Sequence, residues 1–460
     1  MKKNERFHIK IEDMGENGEG IGRADGYTLF VKGALIGDEI EGVCVKAKKT
    51  YGWGRLLRVV RPGPDRVAAR CPVAEPCGGC QMQCLSYEAQ LTFKQNKVRE
   101  DLLRIGRLPE EEVRGAERPI IGADDPWRYR NKVQVPFSRG RDGKAVYGFY
   151  AGRTHSVIPR DDCFLEPEDA GRILETVRLF MDEHHIPAYD ETDGTGLLRH
   201  VLIRTSRAEG TVLICLIVNA ETPGAFPHLD DLVSRLSELP GAAAVTMNLN
   251  TARTNVILGE ETMVLSGNGY ISEQIDGLRF RISTRSFFQV NTAQAERLYR
   301  AAVDAAGLSG REEVWDLYCG TGSISLYAAR SAGAVHGVEI VEDAVRDARV
   351  NAAENHIENV DFVCGRSEVI LPEAAARGVS ADVIIVDPPR KGCAPELLDA
   401  IGIVSPDRLV YVSCDPATLA RDLSILRAKG YTLVSWQPVD MFPQTVHVET
   451  VCLMSRVEGK

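Results

Sequence analysis

The segment "VWDLYCGTGSISLYAAR", residues 314–330, joins an apolar strand pattern to a helical pattern through a short glycine-rich turn. Strand, glycine turn and helix in immediate succession form the first unit of a Rossmann-like fold. Gly320 and Gly322 would let the backbone pass close to a ligand at the start of the helix. Ser325 stands where the dinucleotide-binding fingerprint requires a third glycine, which disfavours NAD as that ligand.

The alternation of strand and helix continues towards the C-terminus. Four further strand patterns follow in order: "GAVHGVEI" at 333–340, "VDFVCG" at 360–365, "ADVIIVDPP" at 381–389 and "RLVYVSCDP" at 408–416. Helical stretches separate them, which predicts a parallel, doubly wound sheet with both faces covered. The tail, residues 431–457, contains two strand patterns with little between them and predicts a final antiparallel pair.

The chain has 460 residues, which is too long for one ordinary core and predicts several domains. Residues 1–61 contain short alternating strand patterns between Gly-rich turns, as in a five-stranded oligonucleotide-binding β-barrel. Residues 67–275 mix strand and helix patterns around a cysteine cluster and predict a central α+β domain. Residues 276–460 form the predicted Rossmann-like domain, so the fold class is α/β with an additional β domain.

The composition, with 44% hydrophobic and 26% charged residues, is that of a soluble globular protein. The start, "MKKNERFHIK", lacks the apolar segment of a secretory signal, and no apolar run is long enough to span a bilayer. A cytoplasmic protein without a membrane partner is therefore expected. Thiols stay reduced there, so the twelve cysteines indicate metal binding, catalysis or packing before disulfides. Four cysteines in apolar runs are expected in the core: Cys44, Cys215, Cys364 and Cys452.

The net charge of −10 argues against a nucleic-acid partner, but it hides two basic segments. Residues 43–70 contain eight Lys or Arg against one acid, and residues 127–153 contain seven, including Arg153, against one acid. The second segment, named the basic–aromatic segment, also carries six aromatic residues: Trp127, Tyr129, Phe137, Tyr147, Phe149 and Tyr150. This mixture suits a surface that binds phosphates and stacks on bases. It equally suits β-structure with solvated cations and inward-facing rings.

The segment "CPVAEPCGGCQMQC" places Cys71, Cys77, Cys80 and Cys84 close together, with two glycines in its Cys-x-x-Cys turn. In a reducing compartment this spacing indicates a metal site with thiolate ligands. The fourth ligand is either Cys84 or the remote Cys163. Zinc and an iron–sulfur cluster both accept four thiolates, so the spacing leaves the metal open.

Two carboxylates end predicted strands of the C-terminal domain. Glu339 ends the strand after the glycine turn, where an acid can accept hydrogen bonds from ribose hydroxyls. A short glycine loop with one such acid fits S-adenosylmethionine, which has no pyrophosphate to bind. Asp387 follows the strand of "VIIVDPPRKG" at the carboxyl edge, where open α/β sheets bind ligands. It is expected to bind a polar group of substrate or cofactor.

Together these motifs resemble those of the RNA (uracil-5-)-methyltransferases with an N-terminal TRAM domain, most closely the branch that acts on bacterial 23S ribosomal RNA. The resemblance covers essentially the whole chain, in the family's order: the barrel, "CPVAEPCGGCQ" with Cys163, "FFQVN", "DLYCGTGS", "VEI", "DPPRKG", "SCDP" and "HVE". It implies a class I methyltransferase fold, RNA binding by the barrel and methylation of carbon 5 of uridine in 23S ribosomal RNA.

The resemblance also assigns residues to sites. It implies S-adenosylmethionine contacts from six residues: Gln289, Tyr318, Gly320, Gly322, Glu339 and Asp387. It implies a [4Fe–4S] cluster on four cysteines, with Cys84 left over: Cys71, Cys77, Cys80 and Cys163. It implies that Cys414 is the nucleophile and Glu449 the general base.

Cys414 suits the chemistry that this reaction requires. Carbon 5 of uracil is too weak a nucleophile to attack a methyl sulfonium unaided, and addition of a thiolate to carbon 6 activates it. A base must then remove the carbon-5 proton. In the strand pattern "TVHVETVCL", Glu449 shares a face with Val451 and Leu453, where apolar surroundings would raise its pKa. His447 is on the same predicted face and is the rival base.

Three alternatives remain open at this point. Transfer RNA as the substrate is compatible with the same chemistry. A cytosine-C5 enzyme would carry a cysteine after the proline of its strand-four motif, where Arg390 stands here. A non-catalytic, cluster-containing RNA-binding protein is disfavoured by the presence of Cys414, Glu449 and Asp387. A monomer that acts on a flipped-out or single-stranded uracil is expected.

Overall fold

The computed structural model describes residues 1–152 and 154–457. Arg153, which belongs to the basic–aromatic segment, lies outside the described residues. The chain divides into two compact units, and the predicted three-domain division stays a prediction. The first unit comprises residues 1–94, 149–158 and 442–447, and the second comprises residues 95–148, 159–441 and 448–460.

The first unit contains the predicted N-terminal barrel, closed in the strand order β1-β2-β3-β5-β4. Its strands are β1 (Arg6–Met14), β2 (Gly20–Ala24), β3 (Tyr27–Lys32), β4 (Glu39–Ala47) and β5 (Tyr51–Arg61). Phe7, Ile9 and Ile11 alternate with exposed residues along β1 and fill the interior. A Cβ atom at Gly42 or Gly54 would come within 2.3 or 2.4 Å of the Phe7 Cζ atom. Glycines at these positions therefore make room for the Phe7 ring.

Three helices follow the barrel: α1 (Ala74–Cys77), α2 (Tyr87–Arg104) and α3 (Glu110–Gly115). α1 is a single turn inside the cysteine cluster. It ends at Gly78, whose φ of 66° lies in the left-handed region that glycine adopts without strain. The tight turn predicted from the two glycines of the cluster is therefore present.

The next part of the chain forms a seven-stranded mixed sheet in the order β12-β11-β10-β9-β6-β7-β8. Its elements are β6 (Lys132–Arg139), β7 (Ala145–Tyr150), β8 (Val157–Pro159), α4 (Ala170–Glu183), β9 (Leu198–Thr205), β10 (Val212–Val218), α5 (Leu229–Ser237), β11 (Ala242–Leu249) and β12 (Glu261–Gly267). β9 and β10 are buried almost throughout because they lie in the middle of this sheet. A hairpin follows, formed by β13 (Tyr270–Ile275) and β14 (Leu278–Ser283).

The C-terminal domain contains a second seven-stranded sheet, in the order β17-β16-β15-β18-β19-β21-β20. Its strands are β15 (Glu313–Leu317), β16 (Ala334–Glu339), β17 (Val360–Cys364), β18 (Val383–Val386), β19 (Arg408–Ser413), β20 (Tyr431–Val439) and β21 (Glu449–Arg456). Its helices are α6 (Thr292–Ala306), α7 (Ser323–Ala329), α8 (Glu342–Glu354), α9 (Ser367–Ala376), α10 (Pro395–Val404) and α11 (Pro416–Ala428). β15 to β19 are parallel, and β21 is antiparallel to both β19 and β20. The predicted parallel sheet with a final antiparallel pair is confirmed.

Helices cover both faces of this sheet, as its sequence pattern predicts. On one face, Trp315 and Leu317 of β15 lie in a core shared with residues of α9, α10 and α11. On the other face, Asp316 of β15 accepts a hydrogen bond from the Ser325 hydroxyl of α7 at 2.5 Å. Among the described residues, no helix combines the length and apolar composition needed to cross a membrane.

The cysteines expected in the core are buried in three cases out of four. Cys44, Cys215 and Cys452 are fully buried in strands, which confirms the expectation for them. The expectation is wrong for Cys364, which is exposed. It lies at the end of β17, the edge strand of the C-terminal sheet, where Phe362 is the one buried residue of the strand.

Candidate active site

Most of the predicted catalytic and cofactor-binding residues lie at the carboxyl edge of the C-terminal sheet. β15, β16, β18 and β19 run in one direction, so their C-terminal ends lie at the same edge. Tyr318 follows β15, and Glu339 is the last residue of β16. Asp387 and Cys414 follow β18 and β19. The sheet therefore brings together residues that are far apart in the sequence.

Glu449 joins this edge because the last strand runs antiparallel. Thr450 of β21 pairs with Ser413 of β19, which places Glu449 at the start of β21 next to the end of β19. The predicted strand through His447 is wrong at its beginning, since β21 starts only at Glu449. Pro443 has no N–H to donate to a sheet and Gln444 has a φ of 69°, so the chain turns there. His447 belongs to the first unit.

The groups at this edge affect one another's ionisation. Burial raises the pKa of the Glu449 carboxyl to about 8, and the charge of Asp387 contributes to this rise. Burial raises the pKa of the half-buried Asp387 to about 7. The pKa of the Cys414 thiol rises to about 11, through burial and then through the charges of Glu449 and Asp387. A negative charge on Asp387 therefore disfavours ionisation of Glu449, and negative charges on both disfavour ionisation of Cys414.

Two residues of this site were not assigned from the sequence. Arg390 is exposed, and its positive charge opposes the pKa rise of both Cys414 and Glu449. Tyr299 of α6 is buried, and burial together with the charges of Asp387 and Glu449 raises the pKa of its hydroxyl. A basic residue directly after "DPP" was a signal for Arg390. Tyr299 lies in an ordinary helical pattern and carries no comparable signal.

Glu339 holds the glycine turn. Its two carboxylate oxygens accept hydrogen bonds from the backbone N–H groups of Gly320, at 3.1 Å, and Val341, at 2.9 Å. Tyr318 has a φ of 70°, which is uncommon for a residue other than glycine. Its hydroxyl donates a hydrogen bond to the Glu368 carboxylate at 2.8 Å. These contacts hold the turn in one conformation at the carboxyl edge.

The two glycines of the turn are required for different reasons. Gly322 has a φ of 81°, and a Cβ atom there would lie 2.9 Å from Cζ of Phe362 and 3.1 Å from Cβ of Ala348. Gly320 has a φ of 57°, but a Cβ atom there would meet no other atom of the described protein within 4 Å. Packing therefore demands a glycine at 322. At 320 the backbone borders open space, which a ligand can approach.

Asp316 is a further carboxyl of this region that the sequence reasoning did not assign. It lies inside β15 and is fully buried, and burial raises its pKa to about 7. Its Oδ1 atom has no hydrogen-bond partner among the described residues. The signal was present in "VWDLY", where an acid interrupts an apolar strand.

The "FFQVN" segment is held in place by Asn131, directly before β6. The Asn131 side-chain amide donates hydrogen bonds to the Gln289 carbonyl oxygen at 2.8 Å and to the Thr292 hydroxyl at 2.9 Å. Its backbone N–H donates to the Val290 carbonyl oxygen at 2.8 Å. Gln289 itself is buried, and its contact with a cofactor stays a prediction.

Asp422 of α11 anchors the loop that carries Arg390. Its fully buried carboxylate accepts hydrogen bonds from the Cys393 backbone N–H at 2.8 Å and from the Tyr411 hydroxyl at 2.7 Å. The Arg421 guanidinium donates to the other oxygen at 2.8 Å. The loop after β18 and the strand β19 are therefore tied to the same buried group.

The predicted ligands of the iron–sulfur cluster come from both units of the chain. Cys71, Cys77 and Cys80 belong to the first unit, and Cys163 belongs to the second. Within residues 1–152 and 154–457, no group of three or more His, Cys, Asp or Glu side chains is arranged to hold a metal ion. Four thiols suit an iron–sulfur cluster chemically. The assignment stays a prediction, and no step of the reaction is derived through it.

The basic–aromatic segment is partly core. Three of its aromatic side chains are buried: Tyr129, Phe137 and Tyr147. Arg128 forms an ion pair with Asp162 and donates a hydrogen bond to the Cys163 carbonyl oxygen at 2.8 Å. The inward-facing alternative is therefore correct for these rings. Three cations of the segment are exposed: Arg139, Arg141 and Lys144.

A row of aromatic rings lies on the outer face of the barrel. Phe30 of β3 pairs with Trp53 of β5, and Trp53 pairs with Lys46 of β4. The Tyr51 ring centroid lies 5.2 Å from that of Trp53 and 6.1 Å from that of Phe30. Lys46 Nζ lies 4.9 Å from the Trp53 ring centroid. The rings of Phe30, Tyr51 and Trp53, named the barrel aromatic row, are exposed or half-buried. They are not part of the buried cluster of apolar side chains that fills the barrel interior.

Two family profiles match the sequence. The profile described as tRNA (Uracil-5-)-methyltransferase matches residues 258–457, and the TRAM domain profile matches residues 2–57. The chain is 44% identical over 456 residues to an uncharacterized RNA methyltransferase of Clostridium tetani, which covers 99% of this chain and 97% of that protein. It is 45% identical over 455 residues to an uncharacterized RNA methyltransferase of Halalkalibacterium halodurans. That match covers 99% of this chain and 98% of that protein.

A solved structure has a similar fold along nearly the whole chain. It is the Pyrococcus abyssi tRNA (uracil-54, C5)-methyltransferase in complex with S-adenosyl-L-homocysteine, with a TM-score of 0.76. The two chains are 24% identical, and the match covers 97% of this chain and 100% of that one. The predicted combination of a TRAM barrel with a methyltransferase fold is confirmed. This chain belongs to the TRAM-containing tRNA (uracil-5-)-methyltransferase family of RNA methyltransferases.

Proposed function

We propose that this protein transfers a methyl group from S-adenosylmethionine to carbon 5 of a uridine in 23S ribosomal RNA. The observation that carries the proposal is the position of Cys414, Glu449 and Asp387 at one sheet edge, where the charge of Asp387 raises the pKa of both Glu449 and Cys414. A cysteine beside a buried carboxyl is the pair of groups that this reaction requires.

Cys414 acts as the nucleophile. Its thiolate adds to carbon 6 of uracil, which forms a C6–S bond and moves the electron pair of the C5=C6 bond into an enolate over carbon 5, carbon 4 and O4. Carbon 5 thereby gains the electron density that methyl transfer needs. S-adenosylmethionine, when bound, supplies the electrophilic methyl group.

Glu449 acts as the general base. After methylation, carbon 5 carries both the new methyl group and its original proton. The Glu449 carboxylate takes this proton, the C5=C6 bond forms again, and the C6–S bond breaks. Cys414 leaves as a thiolate, which completes the cycle for the chain.

The raised pKa values of Cys414 and Glu449 favour nucleophilic attack by Cys414 first and proton removal by Glu449 second. A negative charge on Glu449 disfavours ionisation of Cys414, so the thiolate forms more readily while Glu449 is protonated. After methyl transfer the sulfur is a neutral thioether, so Glu449 loses its proton more easily and becomes a competent base. Arg390 favours the ionised form of both groups.

The glycine turn and the strand ends around it provide the proposed S-adenosylmethionine site. Glu339 already accepts two backbone hydrogen bonds, and carboxylate oxygens have further lone pairs for ribose hydroxyls. Gly320 borders open space at the same turn. The other proposed contacts come from Gln289, Tyr318, Gly322 and Asp387.

The RNA is proposed to lie against the barrel aromatic row, with the target uracil flipped out towards Cys414. Stacking on aromatic rings beside a cation is a common way to bind unpaired bases, and the TRAM match supports an RNA-binding barrel. We propose that the protein acts as a monomer in the cytoplasm. Transfer RNA is the second candidate substrate, and the description of the family profile favours it.

An iron–sulfur cluster on Cys71, Cys77, Cys80 and Cys163 is proposed from the cysteine spacing and the resemblance alone. Protein purified without oxygen should then contain iron and acid-labile sulfide and absorb visible light. Cys163→Ser should lose these properties, and Cys84→Ser should keep them. Iron-free, colourless protein from an anaerobic preparation would refute the cluster.

The proposed reaction is tested with labelled S-adenosylmethionine and transcripts of 23S ribosomal RNA and transfer RNA. Wild-type protein should label the ribosomal transcript, and mass spectrometry of its nucleosides should find 5-methyluridine. Cys414→Ala should abolish the labelling. Cys364→Ser, which removes an exposed thiol from the same domain, should not.

Labelling of transfer RNA alone would establish the second candidate. Equal activity of Cys414→Ala and wild type would show that Cys414 is not the nucleophile. No labelling of either transcript, from protein that binds both, would favour the non-catalytic RNA-binding alternative.

A further inference from the structure

Two cations of the central sheet lie side by side. Lys132 of β6 and Arg204 of β9 are direct partners in the antiparallel ladder, so their side chains lie on the same face of the sheet. Arg130 precedes β6 by two residues, and its charge also reaches Lys132. Arg204 is 3% exposed, whereas Lys132 and Arg130 are half-buried. Like charges in this arrangement repel one another.

No acid among the described residues forms a salt bridge with Lys132 or Arg204. The charge of Arg130 acts on the Glu166 carboxylate, but that carboxylate is already paired with the buried Arg160. For Arg204, the pKa-raising influences of Cys215 and then Asp347 are outweighed by burial, and the buried Cys215 thiol is neutral near pH 7.

The Arg204 guanidinium is also incompletely hydrogen-bonded. Its Nη2 atom donates to the carbonyl oxygens of Ser286 and, at 3.3 Å, of Thr284. Its buried Nε atom has no partner among the described residues. A buried charged donor without a partner is costly to the fold.

The pKa values of both Lys132 and Arg204 are lowered, as expected when a buried cation lacks a negatively charged partner. Burial, followed by the charges of Arg204 and Arg130, lowers the pKa of Lys132 to about 8. Burial lowers the pKa of Arg204 to about 10. A bound anion would reverse both effects, because it would supply the missing negative charge and hydrogen-bond acceptors.

The position of the two cations connects them to the proposed reaction. Arg204 donates to the backbone just before the "FFQVN" segment, and Asn131, next to Lys132, donates to that segment itself at Gln289. An anion bound here would therefore lie beside the segment that carries a proposed cofactor contact.

We propose that Lys132 and Arg204, assisted by Arg130, bind a backbone phosphate of the RNA substrate and thereby position the nucleotides next to the target uridine. This inference rests on the proposed function. A phosphate accepts hydrogen bonds from several directions, so one phosphate can accept from both an ammonium and a guanidinium group on the same face of a sheet. Half-exposed Lys132 and Arg130 leave the site accessible to a long polyanion.

Lys132→Met tests this proposal with a fluorescein-labelled transcript fragment of 23S ribosomal RNA, whose affinity is measured by anisotropy at several salt concentrations. The variant should bind RNA about tenfold more weakly, and the slope of log K against log salt should decrease by about 1. Lys132→Arg should bind as wild type does. Lys429→Met, which removes a lysine paired with Asp399, is the control of equal charge and should keep the wild-type slope.

Two further measurements separate this role from a structural one. The melting temperature of Lys132→Met without RNA should equal or exceed that of wild type, because the repulsion from Arg204 is gone. Its affinity for S-adenosylhomocysteine, measured by calorimetry, should be unchanged. A loss of that affinity with normal RNA binding would mean that the site takes the cofactor carboxylate, and would overturn the proposal.

Unchanged RNA affinity and salt slope would also overturn it. If wild type methylates uridine while Lys132→Met binds RNA normally, this inference fails and the proposed function stands. If wild type does not methylate, the proposed function fails, and the binding measurements still decide whether Lys132 contacts a phosphate.

Discussion

The Glu449 carboxyl lies close enough to the Cys414 thiol for its negative charge to raise the pKa of that thiol. The antiparallel pairing of Ser413 with Thr450 produces this proximity. Since the pKa of Glu449 is itself raised to about 8, the carboxyl is mostly protonated near neutrality and disturbs the thiol least in that form. The two groups are thus linked in their protonation states, which gives the proposed mechanism measurable consequences.

Glu449→Gln should accumulate a covalent protein–RNA adduct. The amide cannot take the carbon-5 proton, so the reaction should stop after methyl transfer with Cys414 still bonded to carbon 6. Denaturing gel electrophoresis with labelled RNA should show a slower band that disappears in Glu449→Gln combined with Cys414→Ala. Normal turnover of the single variant would assign the base to another group, such as His447 or water.

Glu449→Gln should also change how stability depends on pH. In the folded protein the pKa of Glu449 is raised from 4.5 to about 8, so the stability that it contributes is complete below about pH 4.5 and is lost as the pH rises through 8. Glutamine stays neutral throughout. The variant should therefore gain roughly 2–4 kcal/mol of unfolding free energy relative to wild type between pH 5 and pH 9.

Chemical denaturation at both pH values measures this difference. Glu354→Gln, at the exposed end of α8, is the control, and its difference from wild type should vary little with pH. A difference for Glu449→Gln that is the same at pH 5 and pH 9 would contradict the raised pKa.

Alanine substitutions at Gly320 and Gly322 should distinguish a glycine needed for ligand binding from one needed for packing. Gly322→Ala should lose roughly 2–4 kcal/mol of stability, because it combines a positive φ with a Cβ atom 2.9 Å from Phe362. Gly320→Ala meets no other described protein atom within 4 Å and should lose only about 1–2 kcal/mol. It should nevertheless bind S-adenosylhomocysteine at least tenfold more weakly by calorimetry. Wild-type affinity in Gly320→Ala would exclude close cofactor contact at this position.

Trp53→Ala should weaken RNA binding through the barrel aromatic row. Stacking contributes about 1–3 kcal/mol per base, so the affinity should fall by a factor between about 5 and 150. Leu57→Ala removes another exposed apolar side chain from β5 and should leave the affinity unchanged. Equal affinities of Trp53→Ala and wild type, measured by anisotropy, would show that RNA does not use this row. The methylation rate at saturating RNA should be unaffected.

Much of the fold is contained in local patterns of the sequence. The turn at Gly320 and Gly322, the strand that ends in Glu339 and the strand before Asp387 are visible because strand and helix periodicity are short-range properties. Alternation of the two then restricts the topology to a doubly wound sheet. The same reasoning places Cys414 at the carboxyl edge without any knowledge of which strands are neighbours.

The tertiary structure decided what depends on distant parts of the chain. It began β21 at Glu449 and left His447 outside that strand, after a turn at Pro443 and Gln444. It exposed Cys364, because β17 is an edge strand.

Burial and the pairing of distant strands also determined the electrostatic environment of the ionisable side chains. Sequence alone shows that Cys414 is a cysteine, but its pKa depends on which carboxylates the sheet order brings beside it. Likewise, Lys132 and Arg204 are ordinary members of two strands until the ladder pairs them. Electrostatic free energy depends on distance and burial in three dimensions, and neither can be read from positions along the chain.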